Sequence, residues 1–239
     1  MTTGASPRPD STSAGQRVGV VVVAAGSSSR MGGTDKTFAP ILGTQLILLT
    51  LDQFEAFAPV SEIALVLAAD SLEKSRQLIS QRGYRKISQV CAGGKRRQDS
   101  VRVGLDALKP CDLVMVHDGA RPGLDQALLQ RGLEAARKCG AAVAGVPVKD
   151  TIKVVSPQGT VVETPSRDTL WAAQTPQIFR YNLLMEAHRQ CTADFTDDAA
   201  MVESLGHPVR MFLGSYENLK VTTPEDMAVI EAVLQARGE

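Results

Sequence analysis

Residues 18–31 read Val18-Gly19-Val20-Val21-Val22-Val23-Ala24-Ala25-Gly26-Ser27-Ser28-Ser29-Arg30-Met31. A near-continuous β-branched run of this kind marks a strand buried on both faces, as the strands of parallel sheets are. The chain then drops to tiny residues and reaches two cations, Arg30 and Lys36. Small residues after a buried strand let backbone N–H groups approach phosphate oxygens, and a cation neutralises the remaining charge. Two established phosphate loops fail against it. Ser28 and Ser29 stand where a GxGxxG loop needs glycines, and there is no GxxxxGK[ST], so neither a dinucleotide-binding fold nor a P-loop NTPase is supported.

Working outward, strand-like runs at 18–25, 62–69, 85–91, 112–117 and 141–146 alternate with helix-period segments at 46–57, 72–81, 97–108 and 126–138. This alternation predicts an α/β fold, a Rossmann-like, mostly parallel sheet flanked by helices. Ligands of such sheets sit outside the carboxyl ends of the strands. The loops after Ala25, Cys91, His117 and Val146 are therefore expected to line the site. The pattern then changes: two short strand-like runs, 151–155 and 160–164, flank the turn Ser156-Pro157-Gln158-Gly159. A lone two-stranded ribbon is marginal, so its Val and Ile side chains need cover, most simply from a second subunit. Helices near 183–189 and 197–205, a strand at 209–213 and a last helix opened by Thr223, Pro224, Glu225 and Asp226 complete the chain.

The 239 residues suit one large α/β domain, read here as 17–239 behind a Ser/Thr/Gly/Pro-rich disordered tail, 1–16. Lys plus Arg equals Asp plus Glu, 26 each, so no overall field draws the chain to nucleic acid or a membrane, and any bound anion must be held by a local cluster. No apolar run spans a bilayer, and the opening residues lack the apolar core of a secretory signal. Cys91, Cys111, Cys139 and Cys191 are scattered without a CxxC pair, which reads as buried free thiols in a reducing, cytoplasmic setting.

Ala24-Ala25-Gly26-x-x-x-Arg30-Met31 with Lys36 resembles the signature loop of the sugar-nucleotidyltransferase superfamily. Further motifs narrow the likeness: Gly93-Gly94 with Arg97, Asp99 and Ser100-Val101; His117-Asp118-Gly119-Ala120-Arg121-Pro122; and Pro147-Val148-Lys149-Asp150-Thr151. Leu170-Trp171, Gln174-Thr175-Pro176-Gln177, Thr196-Asp197-Asp198 and Asn218-Leu219-Lys220-Val221-Thr222 continue it. From about Val18 to Val229 the order and spacing resemble the 2-C-methyl-D-erythritol 4-phosphate cytidylyltransferase family. Ser28, Asp35, Lys95 and Gly119 depart from its commoner pattern, and those departures bear on loop conformation and nucleotide affinity.

The resemblance implies transfer of CMP from CTP to a polyol phosphate with release of pyrophosphate. The attacking phosphate is already ionised at neutral pH, so catalysis rests on positioning and charge stabilisation. Arg30 and Lys36 are then the catalytic cations. Ala24, Ala25, Gly26, Gly94, Ser100 and Lys220 bind the nucleotide, with Gly94 and Ser100 reading the cytosine edge and Lys220 near the acceptor phosphate. Asp118, Arg121, Thr151, Arg167 and Thr175 bind the second substrate. Arg97 and Asp99 support the loop, and His117 is a structural strand-end histidine. A divalent cation, Mg²⁺, bridges the phosphates with few protein ligands, and none is assigned. The hairpin arm, about 150–168, reaches into a neighbouring subunit of a homodimer and carries Thr151 and Arg167 across. Two rivals share features of this reading: a ribitol-5-phosphate cytidylyltransferase, and a non-catalytic nucleotide-binding protein. The pairing of Arg30 with Lys36 disfavours the second, since a sensor needs no α-phosphorus stabilisation.

Overall fold

The computed structural model describes residues 15–26 and 36–238, and for Lys36 the backbone alone. In chain order come β1 (Val18–Ala24), β2 (Pro40–Ile41), β3 (Thr44–Gln45), α1 (Leu46–Ala56), β4 (Val60–Leu67), α2 (Leu72–Arg82), β5 (Ile87–Ala92) and α3 (Arg97–Ala107). β6 (Leu113–Asp118), α4 (Gln126–Cys139), β7 (Ala141–Pro147), β8 (Val154–Val155), β9 (Val161–Glu163) and β10 (Trp171–Arg180) follow. The chain closes with α5 (Tyr181–Gln190), α6 (Asp198–Ser204), β11 (Arg210–Leu213) and α7 (Pro224–Arg237). Among the described residues no helix is long and apolar enough to cross a membrane.

The valine run forms the inner strand β1, paired in parallel with β4 on one side and β6 on the other. Its side chains serve both faces of the sheet. Val20 and Val22 pack in the core that holds α1 and α4, whereas Val21 packs with Val101 and Leu105 of α3. Gly104 allows α3 to lie this close: a Cβ there would come within 2.3 Å of Val21 Cγ1. A third, smaller core seats Ile230 and Leu234 of α7 against Ile41 and Leu46. The α7 start is held as its sequence suggests, with Asp226 Oδ2 accepting the N–H groups of Thr222 and Thr223 at 2.6 and 2.8 Å.

The seven strands lie in the order β11-β7-β10-β6-β1-β4-β5. β1 through β4 to β5 runs one way and β6 starts on the other side of β1, so the order reverses between β1 and β6, where a crevice opens at the strand ends. β10 is antiparallel to both β6 and β7. Pro176 lacks the N–H a central ladder needs, and the register accordingly shifts between Ala173 and Gln177. Side chains take over inside the shift: Asn218 Nδ2 donates to the Thr175 carbonyl at 2.7 Å and Gln174 Nε2 to the Ser215 carbonyl at 2.9 Å.

Two expectations change. The hairpin strands are shorter than 151–155 and 160–164, covering only Val154–Val155 and Val161–Glu163 around a turn with Gly159 at φ +82°. With no sheet beside it, the ribbon has only its own few backbone pairs. The four thiols are free, but each is partly exposed, with Cys111, Cys139 and Cys191 packed at the margins of the cores. The tail reading (1–16) falls almost wholly outside the described residues; Gly15 and Gln16 are exposed coil.

Candidate active site

Two adjoining cavities open at the reversal point. The first, about 370 Å³, lies between the ends of β1 and β6 and the start of α3; Ala24, Ala25, Gly26, Gly94, Ser100 and Lys220 all line it. Lys95, Arg96 and Arg97 add cations to its wall, against one carboxylate, Asp118. The second, about 290 Å³, is bounded by Arg121, Gln174, Thr175, Thr196 and Asp197. Arg97, Asp118 and Lys220 belong to both. A chain of zero net charge thus gathers its positive charge locally, as anion binding requires.

Asp118 is the pivot. Its Oδ2 accepts from Lys220 Nζ at 2.8 Å and lies 3.6 Å from Arg121 Nε, while its Oδ1 accepts from Arg97 Nε at 3.2 Å. Burial alone would raise its pKa, but Arg97, Lys220 and Arg121 overcome that and hold it well below the usual carboxylate range. Arg97 is partly buried, and burial would lower its pKa, yet Asp198 and Asp118 push it above the ordinary arginine value. Burial outweighs Asp118 at Arg121, whose pKa falls. Arg121 also donates through Nη1 to the Asn218 carbonyl at 2.8 Å, which ties the Asn218-Leu219-Lys220 stretch to the end of β6.

His117 is fully buried, and burial pushes its pKa down to about 4. It is therefore neutral near pH 7, with one donor and one acceptor nitrogen. Nε2 faces the Arg121 carbonyl at 3.2 Å, which only accepts, so Nε2 carries the proton and Nδ1 accepts from the Thr175 hydroxyl at 3.1 Å. Thr175 Oγ1 in turn accepts from the Asp118 N–H at 3.0 Å. The histidine is a brace for the strand end. Thr175 lines the second cavity, but its hydroxyl already makes two bonds.

The glycine pair before α3 is required by close approach. A Cβ on Gly93 would meet Ala25 Cβ at 2.3 Å, and one on Gly94 would meet Asp99 Cβ at 2.4 Å. Ser100 is buried beneath them, accepting from the Gly94 N–H at 3.1 Å and donating to the Arg96 carbonyl at 3.2 Å. Its hydroxyl shapes the loop and the loop shapes the cavity. Asp99 clamps Arg96 at 2.6 Å, in keeping with the supporting role expected of it.

Of the remaining expected residues, Arg30 lies outside the described residues, as does the side chain of Lys36; its neighbour Thr37 lines the first cavity. Thr151 and Arg167 are exposed and line neither cavity; Arg167 donates to the Lys149 carbonyl at 2.7 Å. The loop after Val146 is likewise away from both cavities, contrary to expectation. β10 inserts between β6 and β7 and moves the end of β7 about two strand spacings, near 10 Å, from Asp118. The bulge at Gln174–Pro176 and the stretch 218–220 occupy that place instead. Sequence reasoning gave Arg97 only a loop-supporting role and gave His188 and Asp198 none. In the structure Arg97 Nη1 donates to Asp198 Oδ2 at 2.7 Å, and Thr196-Asp197-Asp198 was the motif that signalled it.

A parallel sheet with a small-residue loop, a glycine-paired loop and a cation-clasped aspartate at its reversal point is the site of a nucleotide-handling transferase. Residues 18–236 match the family model for 2-C-methyl-D-erythritol 4-phosphate cytidylyltransferase, and the chain belongs to that family. A protein of that name from Dehalococcoides mccartyi is 46% identical over 220 residues, covering 92% of this chain and 97% of its own. One from Clostridioides difficile is 42% identical over 220 residues, covering 90% and 92%. Among solved structures, 4-diphosphocytidyl-2C-methyl-D-erythritol synthase from Anaerococcus prevotii superposes with a TM-score of 0.83 at 30% identity, covering 92% and 97%. The 2-C-methyl-D-erythritol 4-phosphate cytidylyltransferase from Thermus thermophilus gives 0.73 at 32%, covering 92% and 99%.

Proposed function

We propose that the two cavities divide the substrates of a cytidylyltransferase, CTP in the first and the polyol phosphate in the second. The chain transfers CMP from CTP to 2-C-methyl-D-erythritol 4-phosphate, giving 4-diphosphocytidyl-2-C-methyl-D-erythritol and pyrophosphate, in non-mevalonate isoprenoid biosynthesis. The observation that carries the division is the set Arg97, Asp118 and Lys220, shared by both cavities at their junction. There an oxygen of the acceptor phosphate attacks the α-phosphorus, the bond to the β-phosphate oxygen breaks, and its electron pair leaves with pyrophosphate. No group has to take a proton, because the attacking phosphate is already an anion. Lys220 and Arg121 hold that phosphate beside Asp118. The Ala24–Gly26 and Gly93–Gly94 backbone accommodates the nucleotide, and Arg30 and Lys36 stabilise the charge that develops at phosphorus.

A divalent cation fits this donor set as one carried in by the triphosphate. The first cavity's one carboxylate is paired on both oxygens, and no group of three His, Cys, Asp or Glu is found among the described residues. When bound it would neutralise phosphate charge, and Asp118, which lines both cavities, could help hold it through its water shell.

The reading extends to one domain over 17–239, a cytoplasmic location and a homodimer. Four free thiols and bacterial relatives support the location. Exposed Ile152, Val154, Val155, Val161 and Val162 on the arm support the dimer, with Thr151 and Arg167 serving the partner's site. The test is pyrophosphate release from CTP, ATP and GTP against a panel of polyol phosphates. Turnover is expected with CTP and 2-C-methyl-D-erythritol 4-phosphate. Equal use of ATP would sink the base assignment, and preference for ribitol 5-phosphate would replace the acceptor.

A further inference from the structure

Three consecutive side chains at the start of α3 reach across to one short segment, 193–198. Arg96 Nη1 donates to Asp194 Oδ1 at 2.6 Å, and Arg97 Nη1 to Asp198 Oδ2 at 2.7 Å. Gln98 donates to the Ala193 carbonyl and accepts from the Phe195 N–H, each at 3.0 Å. The start of α3 walls the nucleotide-side cavity through Gly94 to Arg97, while the tethered segment walls the other through Thr196 and Asp197. The links differ in kind. Arg96–Asp194 lies in solvent, where water screens such pairs and they contribute little. Arg97–Asp198 joins a fully buried carboxylate to the guanidinium whose other edge holds Asp118.

Asp198 touches neither cavity. Its Oδ1 faces His188 Nε2 at 3.4 Å without hydrogen-bond alignment, so both atoms are buried without a bond, as is Arg97 Nη2. Around the junction three cations, Arg97, Arg121 and Lys220, are paired with two carboxylates, Asp118 and Asp198. Without Asp198, Arg97 has Asp118 as its one carboxylate. A guanidinium takes a carboxylate by two parallel bonds when free to turn. Turned so, it would displace Lys220 from Oδ2, and Lys220 is the cation placed at the acceptor.

We propose that Asp198 is a positioning residue for the transfer: by holding Arg97 between two carboxylates it keeps Lys220 on Asp118 and fixes the acceptor-side wall to the nucleotide loop. This rests on the assignment of the second cavity to the polyol phosphate.

The test is Asp198→Asn in the full chain, with pyrophosphate release measured while each substrate is varied. The KM for 2-C-methyl-D-erythritol 4-phosphate is expected to rise about tenfold or more and kcat to fall, since a displacement of about 1 Å can cost about 10²-fold, while the KM for CTP stays within about threefold. Arg97→Lys, which reaches one carboxylate at a time, should also raise the KM for 2-C-methyl-D-erythritol 4-phosphate, and it should move the CTP KM too because Arg97 lines the nucleotide cavity. If Asp198→Asn does not fold, Asp198→Glu, which keeps the charge but moves the carboxylate by one methylene, decides the matter by the same split. Combining Arg97→Lys with Asp198→Asn should add little, because the two residues act as one unit. A folded Asp198→Asn enzyme with both KM values and kcat within twofold of wild type overturns the proposal, even with a lowered Tm. So does an equal rise in both KM values. Wild-type enzyme that fails to turn over CTP would instead overturn the functional reading.

Discussion

At Asp118 three cations hold one carboxylate within a single chain, whereas the β8–β9 hairpin leaves five apolar side chains 39% to 68% exposed. The junction is over-determined. The His117 ring, the Thr175 hydroxyl and the Arg121 side chain each tie the end of β6 to a different segment. The hairpin is under-determined: beyond its few ladder bonds it has the Lys153–Thr164 bond at 2.8 Å and a turn, and its apolar side chains stay largely exposed. One region closes its charges within the chain, and the other presents the exposed apolar surface that the proposed dimer would cover. The proposed chemistry would draw on both, with Arg167 on the arm and Lys220 at the junction.

The comparison breaks first at its strongest point. Asp118→Asn leaves Arg97, Arg121 and Lys220 facing an uncharged side chain. Removing one partner of a buried ion pair costs about 3–5 kcal/mol. Urea unfolding should therefore show a loss near the lower figure, since Arg97 keeps Asp198 and Arg121 keeps the Asn218 carbonyl. A midpoint within experimental error of wild type would mean that the cluster does not hold the strand end.

The middle effect concerns catalysis divided between subunits. Lys36→Ala or Arg30→Ala is expected to lower kcat by about 10²-fold or more, the order for losing one transition-state charge partner. Arg167→Ala is expected to be inactive as well. Mixing Lys36→Ala with Arg167→Ala subunits, with exchange verified by differently tagged chains, should restore activity up to about half of wild type per heterodimer, because one site then carries neither lesion. Heterodimers that form and stay inactive would put both residues in one chain's site and make the arm structural only.

The smallest effect on the folded subunit should come from the arm surface. Val155→Asp with Val162→Asp places two charges on side chains already 55% and 68% exposed. Subunit stability should change by less than about 0.5 kcal/mol, as for surface substitutions generally, while sedimentation shows monomer in place of dimer. An unshifted dimer would move the interface elsewhere.

Sequence by itself determined the alternation of strands and helices, because buried β-branched runs and amphipathic helical repeats are local patterns. Every strand of the seven-stranded sheet from 18 to 147 falls within two residues of where its apolar run places it, whereas the short β2–β3 pair was not foreseen, and the Thr223 cap opens α7 as read. The likeness to the family's motifs also marked Ala24, Gly94, Asp118 and Lys220, all of which line the first cavity. Only the tertiary structure decided which ends meet. β10 runs antiparallel between β6 and β7, and its break at Pro176 is bridged by Gln174 and Asn218, 44 residues apart. The Arg97–Asp198 pair spans 101 residues, and no local periodicity encodes a bond of that reach. The valine run announces a buried strand wherever it is placed, but a partly buried arginine becomes legible only when the fold brings its carboxylates within bonding distance.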